Sequence, residues 1–232
     1  MAQLVRKHSL AVRWFHWVNF PVLAVMVGSG LLVYWANDAY RVGVGGWTLI
    51  HLFPDSIYRL LGLDHGLALG MAWHFAFAWL FVLNGLAYVV YTLASGEWHA
   101  LLPRRQHFRE AWDVVLHDLG LRKEPLPATK FNAAQRVTYT VVIVMGALST
   151  VTGFAIYRPT QLAWLATLCG GYQAARFEHF WLMMGFCAFF VLHLVQVVRA
   201  GWNNFRAMVI GVERVGTTAG EAPPPTAGEA RP

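Results

Sequence analysis

Residues 179–198 read HFWLMMGFCAFFVLHLVQVV, twenty consecutive positions without an Asp, Glu, Lys or Arg. About 20 such residues make a helix long enough to cross the hydrocarbon of a bilayer. Three more uncharged stretches precede this one, at residues 15–36, 66–95 and 137–157. The second is longer than a crossing requires and can tilt or overhang. The prediction is an all-α, integral-membrane four-helix bundle over residues 1–212, with a disordered tail at 213–232, rich in Ala, Gly, Pro and Thr. Residues 162–168 are apolar but too short to cross, and read as a loop or interfacial segment. Residues 56–63 predict a short amphipathic helix. Phe108, Trp112, Val115, Leu116 and Leu119 stand at the spacing of a helix lying on the membrane surface. No internal repeat is visible.

Composition points the same way. Of 232 residues, 57% are hydrophobic and only 13% charged, against about 25% charged in a soluble domain. That balance excludes a disordered chain and leaves too little polar material to cover a soluble core. The first span is too long for the apolar region of a signal peptide and no small-residue cleavage site follows Tyr34-Trp35, so it reads as a retained helix. Two cysteines, Cys169 and Cys187, cannot build a disulfide framework. There is no CxxCH for covalent haem, no CxxC pair, no phosphate loop and no GxGxxG.

Fourteen of the eighteen Lys and Arg lie before the first span, in residues 96–136, or from Arg199 onward. The other four, Arg41, Arg59, Arg158 and Arg176, lie in the two intervening loops. The positive-inside rule therefore predicts both termini and the middle loop in the cytoplasm. The net charge of +6 then reads as orientation and lipid contact and not as a nucleic-acid patch. Trp14, Trp17, Tyr34 and Trp35 fit interfacial belts at the two ends of the first span.

Of ten histidines, His8, His51, His65, His99, His107 and His117 fall in loops or just outside the spans. His16, His74, His179 and His193 fall within or at the edge of spans, where an ionisable group is costly and usually functional. With alternating span directions, His16 and His193 lie toward the cytoplasmic side, and His74 and His179 toward the outside. The 14 residues from His179 to His193 rise about 21 Å and fall only about 40° short of four full turns, so the two share a face at two depths. Two imidazoles facing each other at one depth suit the axial positions of a haem iron. Two such pairs would make a two-haem wire. The alternative is interhelical hydrogen bonding or a proton path. Gly28, Gly30, Gly70, Gly85, Gly146, Gly153 and Gly185 suit either a flat porphyrin or close helix packing. Arg13, Arg136 and Arg199 suit either haem propionates or ordinary anchoring.

The chain resembles the membrane cytochrome b subunits that serve formate dehydrogenase, nickel–iron hydrogenase, thiosulfate reductase and related molybdopterin enzymes. The resemblance covers about residues 8 to 210. It is carried by Arg13-Trp14-Phe15-His16-Trp17, Trp73-His74-Phe75, Lys130-Phe131-Asn132-Ala133-Ala134-Gln135-Arg136, Thr152-Gly153-Phe154, Arg158-Pro159 and Ala175-Arg176-Phe177-Glu178-His179 with His193. It implies two b-type haems with bis-histidine ligation, the four iron ligands matching His16, His74, His179 and His193. It also implies a quinone pocket near the cytoplasmic haem, at a segment that reads KYNAGQ in formate dehydrogenase relatives. Asn132 and Gln135 match that segment, Phe131 replaces its Tyr, and Ala134 replaces its Gly, adding a methyl where backbone approaches the ring. Asn132 and Gln135 also suit a capping box opening the third span.

The implied role is electron transfer in the bacterial inner membrane, between a periplasmic redox partner of the molybdopterin class and membrane quinone. The chain would be a subunit of an oxidoreductase complex, with no catalytic site of its own, and its two outer loops would form the docking surface. The alternatives are a stand-alone dihaem quinol oxidoreductase, and a haem-free anchor or transporter using histidines as proton relays.

Overall fold

A computed structural model describes residues 2–36, 40–44, 47–118, 120–121 and 133–216. The described chain divides into two compact units, one of Leu10–Leu86 and the other drawing on both of its flanks.

In the first unit, α1 (Leu10–Trp35) and most of α3 (Leu67–Ala94) lie side by side. Gly70 makes their close approach possible, since a Cβ there would stand 2.6 Å from Leu32 Cβ and 3.0 Å from the Ser29 carbonyl. Small residues are the usual means by which helices come together in lipid. Pro21 sits inside α1, which membrane helices tolerate because neighbouring groups take up the freed backbone. Asn84 Nδ2 donates to Asn19 Oδ1 at 2.9 Å, a polar link between the two helices. Replacing Asn84 by leucine leaves Asn19 without that donor. The expected loss is about 1 kcal/mol, typical of such bonds in membranes, measured by thermal unfolding in detergent.

Between these helices, β2 (Arg41–Val44) and β3 (Trp47–His51) form an antiparallel ribbon with an irregularity at Val42/Gly43. The short helix α2 (Asp55–Leu61) follows Pro54 and ends on Gly62 in the left-handed region, close to the expected residues 56–63. It buries Tyr58, which is 2% exposed. The Tyr34 and Tyr40 rings stack at 5.6 Å, and Tyr40 N–H donates to the Tyr34 hydroxyl. Trp35 meets His65 at 4.7 Å.

The second unit holds α4 (Trp98–Leu101), α5 (Arg105–Asp118), α6 (Ala133–Tyr157), α7 (Ala163–Leu168) and α8 (Tyr172–Ile210). The expected surface helix is α5. It buries Val114 against its neighbours and exposes Phe108 and Trp112; Leu119 lies outside the described residues. The apolar segment at 162–168 is largely helical. Leu165 and Ala166 of α7 join Ala155 and Ala175 in a buried cluster, while Trp164 and Leu168 stay exposed. Gly170 and Gly171, with φ of 78° and 102°, turn the chain from α7 into α8, a conformation that side chains resist. Cys169 lies at this turn, and burial, helped by the Glu178 carboxylate, pushes its thiol up. Its ordinary form near neutral pH is therefore the unreactive thiol.

Among the described residues, α1, α3, α6 and α8 are long and apolar enough to cross a membrane. They match the four expected spans; α3 lies within its own, residues 66–95, while α1, α6 and α8 run beyond theirs. α1 starts five residues earlier than its uncharged stretch, taking in Arg13, and α6 takes in Arg136. Long basic side chains reach back to water from a helix end, so a charge marks the edge of the hydrocarbon and not the end of the helix. α8 is 39 residues long, broken at Gly201, whose φ of 80° and ψ of 172° are not helical. The spanning part thus ends just past Arg199, and the segment 202–210 leaves in a new direction.

β1 (Ala2–Arg6) pairs antiparallel with β4 (Val212–Gly216), in register from Ala2 with Gly216 to Arg6 with Val212. Lys7 Nζ clamps the ribbon through Glu213 at 2.8 Å and Asn204 at 2.9 Å. The two ends of the described chain therefore leave on one side, as an even number of crossings requires. This strand takes in the first residues of the stretch expected as a tail; residues 217–232 lie outside those described.

Candidate functional site

The four histidines singled out from the sequence stand on three helices: His16 on α1, His74 on α3, and His179 and His193 on α8. The break at Gly201 lies beyond His193, so α8 is continuous between its two histidines and they do share a face.

His74 is held by α1. Its Nδ1 lies 3.1 Å from the Ser29 hydroxyl oxygen. That hydroxyl has one proton, and it goes to the Val25 carbonyl at 2.6 Å, with the Met26 carbonyl at 3.3 Å. With its proton on Val25, the Ser29 oxygen can accept from Nδ1–H of His74, and the Met26 carbonyl is a second backbone acceptor for this ring. In a neutral imidazole this leaves the lone pair on Nε2. The neighbouring residue sets the approach: a Cβ on Gly30 would stand 3.4 Å from His74 Cε1.

His179 repeats the arrangement on the other pair of helices. Its Nδ1 lies 3.0 Å from Thr152 Oγ1 of α6. Thr152 donates to the Leu148 carbonyl at 2.8 Å, with Ser149 at 3.3 Å. A Cβ on Gly153 would stand 3.3 Å from His179 Cε1. Ser29 and Thr152 are both buried, at 4% and 2% exposed. A hydroxyl followed by glycine on one helix thus meets an imidazole on another, twice among the described residues. The sequence shows no repeat because the two copies share only that dipeptide and the histidine, 45 residues apart in one case and 27 in the other. The signal that could have found it was a hydroxyl-glycine pair inside each of two spans.

The other two histidines have aromatic neighbours. His193 stacks on Phe189 one turn before it, with centroids 5.6 Å apart. His16 meets Trp17 edge-on at 5.2 Å.

The donor set fits a haem. A neutral imidazole with Nδ1–H bonded to an acceptor and its lone pair on Nε2 is the form that ligates iron.

Of the residues expected at a quinone, Gln135 is exposed in the first turn of α6, and Asn132 lies outside the described residues. Beside Gln135, a cavity of about 390 Å³ is lined by His99, Ala100, Arg104, His107 and Arg136. His107 Nδ1 accepts from the Arg104 N–H at 2.8 Å.

The model of the prokaryotic cytochrome b561 family matches residues 7–211. The chain belongs to the prokaryotic cytochrome b561 family. A relative from Azospira oryzae, named "Putative protein-methionine-sulfoxide reductase subunit YedZ1", is 29% identical over 191 residues, covering 82% of this chain and 89% of its own length. The matched region takes in all four apolar helices and all four of these histidines. This member of the cytochrome b561 family is a multi-pass protein of the bacterial inner membrane and a b-type haem protein of electron transport.

Proposed function

We propose that this cytochrome b561-family protein carries electrons through two b-type haems between membrane quinone and a periplasmic redox partner. His74 and His179 would hold the haem nearer the outside, and His16 and His193 the haem nearer the cytoplasm. The observation that carries this reading is the paired hydroxyl–imidazole geometry, which makes His74 and His179 alike in tautomer. The pairing by depth rests on span direction and on the 14-residue spacing of the α8 histidines. When bound, each haem iron takes up and releases one electron.

The chain's own residues do the rest. The helices carry the imidazoles, and their apolar side chains would surround bound haem and lower the local dielectric. Arg13, Arg136 and Arg199 would pair with propionates at the cytoplasmic edge. Asn132 and Gln135 would hydrogen-bond quinone carbonyls at the start of α6. The adjoining cavity, with His99 and His107 among its lining residues, would pass protons between quinone and the cytoplasm. The cytochrome domain would cover residues 1–212 extended by the strand Val212–Gly216, with the tail following it.

The partner would be an oxidoreductase of the molybdopterin class, docked on the loops after α1 and after α6. The name of the Azospira relative favours a partner that reduces a sulfoxide, which would draw electrons outward from quinol. Both termini would then face the cytoplasm.

A reduced-minus-oxidised spectrum with a haem-to-chain ratio tests the core of this reading. Two b-type haems per chain are expected. One haem, or none, would sink the two-haem wire. Isolation from native membranes with a second polypeptide is expected; isolation alone, with quinol oxidation intact, would favour the stand-alone alternative.

A further inference from the structure

We infer that Ser29 and Thr152 are positioning residues, whose hydroxyl oxygens hold the imidazoles of His74 and His179 in the Nδ1–H tautomer and so present Nε2 to iron. The inference rests on the haem reading above and deepens it.

The deciding point is where each hydroxyl proton goes. A serine or threonine inside a helix commonly turns its proton back to the carbonyl four residues earlier. Ser29 does so to Val25 and Thr152 to Leu148. A helical hydroxyl so occupied has only lone pairs left for a visitor. In water either ring nitrogen of a histidine carries the proton with little preference. In hydrocarbon, a buried acceptor aimed at Nδ1 decides it, because the other tautomer would set two lone pairs against each other at 3.1 Å and 3.0 Å with no water to intervene. Gly30 and Gly153 complete the device. They let the ring lie close enough for its Nδ1 to reach a hydroxyl that is itself folded against the helix.

The consequence is chemical as well as geometric. A Nδ1–H that donates to an acceptor makes Nε2 more basic and a better donor to the metal, favouring the oxidised iron. On the proposed pairing of His74 with His179, both hydroxyls act on the same haem. The haem at His16 and His193 is served by neither.

The test uses the full-length haem protein in detergent, with Ser29→Ala, Thr152→Val and Thr152→Ser, read by potentiometric titration and by haem retention during a chase with apomyoglobin. Val has the shape of Thr without the oxygen. Ser29→Ala and Thr152→Val are each expected to raise the midpoint potential of one haem only, the one lost in His74→Ala, and to weaken its retention by about tenfold to a hundredfold, the usual effect of removing such a partner. Thr152→Ser restores the acceptor and is expected to behave as the parent. The double variant shifts the same haem further. If Thr152→Val binds both haems with unchanged potentials, or if the shift falls on the haem lost in His193→Ala, the inference is overturned. If His74→Ala itself keeps both haems, the failure lies in the haem assignment, and the two cases are told apart.

Discussion

Replacing His193 with alanine is expected to remove one of the two haems and leave the other with its native spectrum. A b-type haem is held by its axial bonds and apolar contacts, with no covalent tether. An alanine at 193 takes away one of those bonds and opens a gap beside Phe189. His16→Ala is expected to remove the same haem, and the double variant His16→Ala with His193→Ala to lose no more than either alone. Residues that act as one unit are not additive. His74→Ala and His179→Ala form the complementary set. Haem per chain and low-temperature spectra of the four single variants check this. If His193→Ala and His179→Ala lose the same haem, or if neither loses any, the pairing by depth is wrong.

Gly153→Leu is the second large effect, and it needs no change to a ligand. A Cβ at this position already stands 3.3 Å from His179 Cε1, closer than ordinary contact. Alanine there asks the ring to give by a few tenths of an ångström. Leucine adds three more carbons in the same direction and drives the ring off the Thr152 hydroxyl. Loss of the haem at His179 is expected for Gly153→Leu, with partial loss for Gly153→Ala. Gly30→Leu is expected to do the same through His74. Gly28 supplies the control two residues away, because a Cβ there meets nothing within 4 Å. Gly28→Leu is expected to keep both haems. Equal haem loss in Gly28→Leu and Gly30→Leu would mean that leucine damages α1 generally and that the ring contact is not the cause.

The spans were legible because hydrocarbon admits no charge, and the four uncharged stretches stand out against a chain with loops carrying Arg, Lys, Asp and Glu. The ends of the helices were less so. Arg13 and Arg136 lie inside α1 and α6, and α8 stops spanning at Gly201 because of a backbone conformation that no run of hydropathy records. Of the site, the histidines could be found from cost alone, since an imidazole in a span needs a reason. Ser29 and Thr152 could not be found from cost; only the glycine that follows each of them was a signal. A hydroxyl in a membrane helix satisfies itself on its own backbone, so its presence carries no expense that would mark it out. Gly30 and Gly153 were visible as glycines, but which ones face a ring depends on how α1 meets α3 and how α6 meets α8. The resemblance that brought Thr152-Gly153-Phe154 into view named a pattern without its reason, and the hydrogen bond to His179 supplies one.

The ribbon of β1 and β4 has a bearing on how the protein is made. Arg6 leaves the ribosome about 200 residues ahead of its partner Val212. At roughly 5–20 residues per second, that is a wait of about 10 to 40 s. β1 therefore waits for its mate while α1 to α8 are made, and the two strands can zip together only after α8. A chain that stalls before Val212 leaves Ala2–Arg6 as a bare edge, so closure of this small clasp reports that α8 has been made.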